Sequence, residues 1–101
     1  MKKIINGKMY NTETAEFIDS YESGYPKDFA YVYEALYRKK TGEFFLYGEG
    51  GPNTDYRVYY SSNEWGGSSR ITPYTKSEAK KWLAENGTVD TYCKVFGEPE
   101  E

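Results

Sequence analysis

The sequence predicts an α+β fold in which an antiparallel sheet of four to six strands is backed by a C-terminal helical pair. Three observations carry this expectation: aromatic-rich stretches of strand character between residues 29 and 60, glycine- and asparagine-containing turns that punctuate them, and a strong helix-start signature at Thr75. At the N-terminus, apolar residues lie on both sides of Asn6-Gly7, the dipeptide best suited to the two positive φ angles of a type I′ turn, so an N-terminal hairpin is expected. Asn11 to Glu16 has cap residues followed by acids, which suits a turn. Phe17-Ile18-Asp19-Ser20-Tyr21 fits helix or strand, and strand is the favoured reading.

Gly24 and Pro26 break any regular element. From Phe29 to Lys39, Phe29, Tyr31, Tyr33, Ala35 and Tyr37 share one parity, which reads as a strand. A helix would instead align Phe29, Val32, Tyr33, Leu36 and Tyr37, so periodicity alone leaves both open. Lys40-Thr41-Gly42 then leads tightly into Glu43 to Tyr47, giving a central hairpin. Gly48 to Asn53 reads as a loop, Tyr56 to Tyr60 as a further strand, and Ser61 to Ser69 as a flexible excursion carrying Trp65; Arg70-Ile71-Thr72 closes the sheet. Thr75-Lys76-Ser77-Glu78 is a capping box. The helix that follows buries Ala79, Trp82 and Leu83 and ends at a left-handed Asn86-Gly87. Thr88 caps a second helix with Val89, Tyr92, Cys93 and Phe96 toward the core and Gly97 at its end.

A chain of 101 residues makes one domain, expected over residues 1–97 with an acidic tail at 98–101. The balance of 38% hydrophobic to 29% charged residues is too even for disorder and too polar for a membrane span, and Met1 to Ile5 runs directly into a turn with no signal-peptide apolar region. A cytoplasmic protein is expected. The net charge of −3 argues against sequence-independent binding to phosphate backbones.

Twelve tyrosines stand beside no histidine and one cysteine. Without histidine the commonest general base and zinc ligand is missing, and one thiolate cannot build a metal cluster, so no cofactor and no metal are expected. Cys93 falls on the apolar stripe of the last helix and reads as a buried thiol. Glu34, Glu43, Glu49 and Asp55 lie in or near the central hairpin. Paired carboxylates can perform acid–base hydrolysis, but sixteen acidic residues make such proximity ordinary, and a solvated face is the simpler reading. Gly48-Glu49-Gly50-Gly51 lacks the helix start that a phosphate loop requires. Lys2-Lys3, Arg38-Lys39-Lys40 and Lys76 with Lys80-Lys81 occupy a terminus, a hairpin tip and an outward helix face, where lysine serves solubility.

The phenols outnumber what a small core can bury and satisfy. Tyr31, Tyr33, Tyr37, Tyr47, Tyr56, Tyr59 and Tyr60, with Trp65, are therefore candidates for an exposed contact surface, with Glu43, Glu49, Asp55 and Glu64 steering it toward a basic partner. Cross-strand pairing that only stabilises the sheet is the plainer alternative for each tyrosine.

The run from Lys2 to Ala15, Tyr33-Glu34-Ala35-Leu36-Tyr37 with Thr41 to Gly51, the C-terminal helix and the closing Phe96-Gly97 together resemble small acidic proteins of phages and other mobile elements of Gram-positive bacteria. The resemblance brings no catalytic residues. It implies a setting in which many such proteins inhibit bacterial defence, among them anti-CRISPR proteins that occupy nucleic-acid or subunit surfaces of an effector complex. The expected function is thus a non-enzymatic protein-binding module of this inhibitory kind, with a CRISPR effector subunit as its partner. A small single-stranded nucleic-acid binder is the alternative, and a second copy of the chain is another cover for a tyrosine face.

Overall fold

Asn6 and Gly7 adopt φ values of 51° and 78°, the two positive angles of the expected turn, and they join β1 (Lys2–Ile5) to β2 (Lys8–Asn11). The computed structural model describes residues 1–100. After this hairpin come β3 (Glu16–Ser23), β4 (Val32–Arg38), β5 (Phe44–Gly50), β6 (Val58–Ser61), β7 (Glu64–Gly66), β8 (Ser68–Tyr74), α1 (Lys76–Asn86) and α2 (Val89–Phe96). The fold is α+β. One antiparallel sheet has the order β3-β4-β5-β8, and β1-β2 and β6-β7 are separate two-stranded ribbons.

Register decides which side chains meet. Leu36 pairs with Leu46 and Arg38 with Phe44, placing Leu36, Phe44 and Leu46 on one face, where they pack against Ala79, Trp82 and Leu83 of α1. Leu36 and Leu83 are fully buried, and Ile18, Tyr74, Tyr92, Val95 and Phe96 extend this core. The capping box forms as expected: the Thr75 hydroxyl accepts from the Glu78 N–H, and the Glu78 carboxylate accepts from the Thr75 N–H. A bulge in β3 puts Ile18 and Asp19 opposite a single position of β4. Asp19 then reaches the helix junction, where its carboxylate accepts from the Thr88 N–H at 3.0 Å.

The same face carries a polar node. Glu34 accepts from the Trp82 indole N–H at 3.0 Å through one oxygen and from the Tyr56 hydroxyl at 2.5 Å through the other. Tyr56 lies across Gly48, where a Cβ would occupy the space of its ring, and Arg70 stacks on it 4.6 Å from the centroid. On the opposite face the β1-β2 ribbon seats Tyr10 edge-on against Phe45 and, with Ile71, Ile5 and Ala15, forms a smaller second core at one end of the sheet.

Several expectations need correction. Gly48 to Gly50 belong to β5, because the missing side chains make room for Tyr56 and Thr54 to lie against the strand. Tyr56 therefore leaves the predicted strand, which begins only at Val58, and Ser61 to Ser69 contains the turn and second strand of the β6-β7 ribbon together with the start of β8. Gly87 has φ −92°, an ordinary angle; what it lacks is room, since a Cβ would press on Leu83 and Asp19. Val89 is 79% exposed, and Cys93 is half-buried where full burial was expected, because α2 rests on the core only through its other side chains. Residues 98–100 have no regular structure, although Pro99 lies beside Leu83 and Tyr92; Glu101 of the expected tail lies outside the described residues. Among the described residues no helix is long and apolar enough to cross a membrane.

Glu34→Leu leaves two donors without an acceptor and should lower unfolding stability by about 2–4 kcal/mol, whereas Glu34→Gln, which can still accept from Trp82 and donate to Tyr56, should cost about 1 kcal/mol. Gly48→Ala forces the Tyr56 ring aside and should cost about 1–3 kcal/mol. Urea denaturation midpoints of the three variants check both expectations.

Candidate tyrosine face

The odd-numbered residues of β4 point away from the helices. Tyr31, directly before the strand, and Tyr33, Ala35 and Tyr37 within it share this face with Phe45, Tyr47 and Glu49 of β5, Phe17, Ser20 and Glu22 of β3, and Ser69 and Ile71 of β8. The β1-β2 ribbon covers the Phe45 and Ile71 end. Tyr47, opposite Ile71, packs against this core as well, and toward the end the ribbon does not reach it meets Tyr33 edge to face at a centroid distance of 6.3 Å and an interplanar angle of 61°, both rings half-buried. Tyr37 stacks on Phe45 at 5.3 Å and takes the exposed Phe17 ring against its edge.

Two of these phenols are held by carboxylates. Tyr31 donates to Glu22 at 3.0 Å and Tyr47 to Glu49 at 2.7 Å. Loss of water, followed by the hydrogen bond to a neighbouring anion, pushes the Tyr47 hydroxyl up to about 12, while Ser69 beside it acts in the opposite sense. The Tyr31 hydroxyl is raised for the same two reasons, and Tyr37 is raised chiefly by burial. Among the described residues neither Glu22 nor Glu49 has a lysine or arginine partner, and they are the only charged side chains that the four strands place on this face.

The structure thus brings together Tyr31, Tyr33, Tyr37, Tyr47 and Glu49. It separates the other candidates. Tyr56 is 5% exposed on the helix side and is no surface residue. Glu43 is engaged within the chain by Lys8 at 2.8 Å, Lys39 at 3.5 Å and the Thr41 hydroxyl; the bonds to Lys8 and Thr41 hold its carboxyl below the usual range. Tyr59, Tyr60, Glu64 and Trp65 sit on the β6-β7 ribbon, not on a strand of the main sheet, and there Tyr59 and Trp65 at 6.1 Å form an exposed aromatic patch, whereas Tyr31, Tyr33, Tyr37 and Tyr47 are half-buried. Asp55 is exposed in the connection between β5 and β6, where its backbone carbonyl accepts from Arg70.

Glu22 was not a sequence candidate. Its parity in β3 depends on the bulge at Ile18 and Asp19, which shifts every later residue by one face and leaves no local signature. Comparison of the chain with protein-family models, curated proteins and solved structures gives no match.

The raised tyrosines set an alkaline limit. A phenol whose proton is held more tightly in the folded than in the unfolded state contributes stability below the unfolded value near 10, and that contribution is lost as pH rises toward the folded value of about 12. Stability of the natural chain should therefore fall over this window. The fall should be shallower in Tyr47→Phe, as read from denaturation midpoints measured at successive alkaline pH values.

Proposed function

We propose that this chain is a non-enzymatic protein-binding module whose contact surface is the open end of the tyrosine face, acting as an inhibitor of a bacterial defence complex in the manner the resemblance implies. The observation that carries this reading is the arrangement of Tyr31, Tyr33 and Tyr47 with two unneutralised carboxylates on a sheet face without a helical layer. Tyrosine gives large contact area with little side-chain entropy to lose, and its hydroxyl tolerates both water and an interface. Uncompensated negative charge speeds encounter with a basic surface and repels acidic ones. A nucleic-acid-binding surface of an effector subunit is basic by necessity, which makes it the favoured target.

The same charge weighs against the alternative of single-stranded nucleic acid. Phosphates approaching Tyr33 or Tyr47 would meet Glu22 and Glu49, although the aromatic rings themselves would suit stacking.

Affinity capture from a Gram-positive bacterial lysate, with the natural chain and Tyr33→Ala/Tyr47→Ala side by side, tests the proposal. A partner retained by the natural chain and reduced at least tenfold by the double variant is expected, since interface aromatics commonly contribute 2 kcal/mol or more, roughly. Equal retention by both chains would rule the face out. Binding of a single-stranded oligonucleotide that weakens steeply with added salt would favour the nucleic-acid reading instead.

A further inference from the structure

The backbone register draws one row across the whole open face: Glu22 pairs with Tyr33, Tyr33 with Glu49, and Glu49 with Ser69. Adjacent strands lie about 4.8 Å apart, so the two glutamates flank the Tyr33 position with their backbones about 10 Å from each other. Tyr47, from the next row, closes one side of the Tyr33 ring edge to face. Tyr31 and Tyr47 each give one hydrogen bond to the carboxylate nearest them, which anchors Glu22 and Glu49 yet fills only part of their capacity, because an ionised carboxylate offers about four acceptor positions.

From this geometry we infer that the row Glu22–Tyr33–Glu49 is a seat for an arginine side chain presented by the partner protein. The inference rests on the tyrosine face being the contact surface, and it specifies what that surface receives. A guanidinium is flat, permanently charged and weakly hydrated. It can lie on the Tyr33 ring while its N–H groups point outward in the plane toward both carboxylates. The ammonium of lysine is compact and strongly hydrated, so it engages one carboxylate or the ring but does not span the row. Neither carboxylate has a lysine or arginine within ion-pair distance, so both are left for a guanidinium brought from outside. The serines Ser20 and Ser69, beside the row, leave room for the segment that carries the arginine.

Amide NMR titrations with three capped peptides, tetra-arginine, tetra-lysine and tetra-glutamate, test this seat. Tetra-arginine should shift resonances of Glu22, Tyr33 and Glu49 and their neighbours, with an affinity roughly fivefold above that of tetra-lysine; tetra-glutamate should shift nothing. Glu22→Gln/Glu49→Gln, which keeps side-chain size and an acceptor for each phenol, should weaken tetra-arginine about tenfold. Tyr33→Leu should erase the preference for arginine over lysine. Equal affinity for the two basic peptides, shifts centred away from this row, or self-association of the free chain that Tyr33→Leu abolishes would each overturn the inference. If the lysate partner is lost in the tyrosine double variant while tetra-arginine fails to bind the natural chain, the contact surface stands and the arginine seat falls. If tetra-arginine binds at the row and the variant retains the partner, the row accepts a guanidinium but the partner does not present one there, and the inference falls together with the contact surface.

Discussion

The Glu34 carboxylate, shared between the Trp82 indole and the Tyr56 hydroxyl, is the interaction on which the arrangement of this molecule depends. It sits on the central strand β4 and joins three parts that are distant in the chain: the sheet, the first helix and the connection after β5. A half-buried carboxylate is tolerated because each oxygen has a donor, and charge-assisted bonds of this kind are stronger than neutral ones. The node also selects a side. Since Glu34 faces the helices, its neighbours Tyr33 and Ala35 must face away, and the tyrosines of β4 are committed to the surface the helices do not cover.

The distribution of phenols follows from that commitment. Two tyrosines, Tyr10 and Tyr56, are buried, each at the centre of a different packing arrangement. On the face opposite the helices, Tyr37 and Tyr47 pack against the ribbon core, and Tyr33 lies beyond it with its ring against Tyr47. Glu22 and Glu49 take up two of the hydroxyls, so Tyr31 and Tyr47 are already oriented in the free chain. Preorganised groups lose less freedom on association, which is the physical reason the proposed contact surface can be small.

Local signals were legible wherever a residue's own chemistry dictated its backbone. Asn6-Gly7, Gly42, the Thr75–Glu78 box and the alternation through Tyr33, Ala35 and Tyr37 all predict what is found, although the strand expected from Phe29 begins only at Val32 and leaves Phe29 exposed in the preceding turn. Four of the tyrosine-face residues, with Glu49, were likewise legible, because period-two patterning fixes the face of a strand. The residues that misled are those whose role is set by something far away in sequence. Gly48 reads as a loop glycine until Tyr56 is known to lie on it, and Gly87 reads as a left-handed stop until Asp19 is known to press against it. Glu22 became visible only once the β3 bulge was placed, and Tyr56 looked like its neighbours Tyr59 and Tyr60 although its hydroxyl is spent on Glu34.

The two borders of the main sheet differ from its interior. β3 is irregular at Ile18 and bears Glu16, Asp19 and Glu22, while β8 contains Pro73, which has no N–H to offer. Both features discourage another chain from extending the ladder sideways. Whatever docks on this sheet is thereby directed to arrive broadside, keeping its own fold and gaining no main-chain ladder from the encounter. On the proposed reading, discrimination then resides in side-chain shape and charge alone, and a few substitutions would redirect the surface without disturbing the framework beneath.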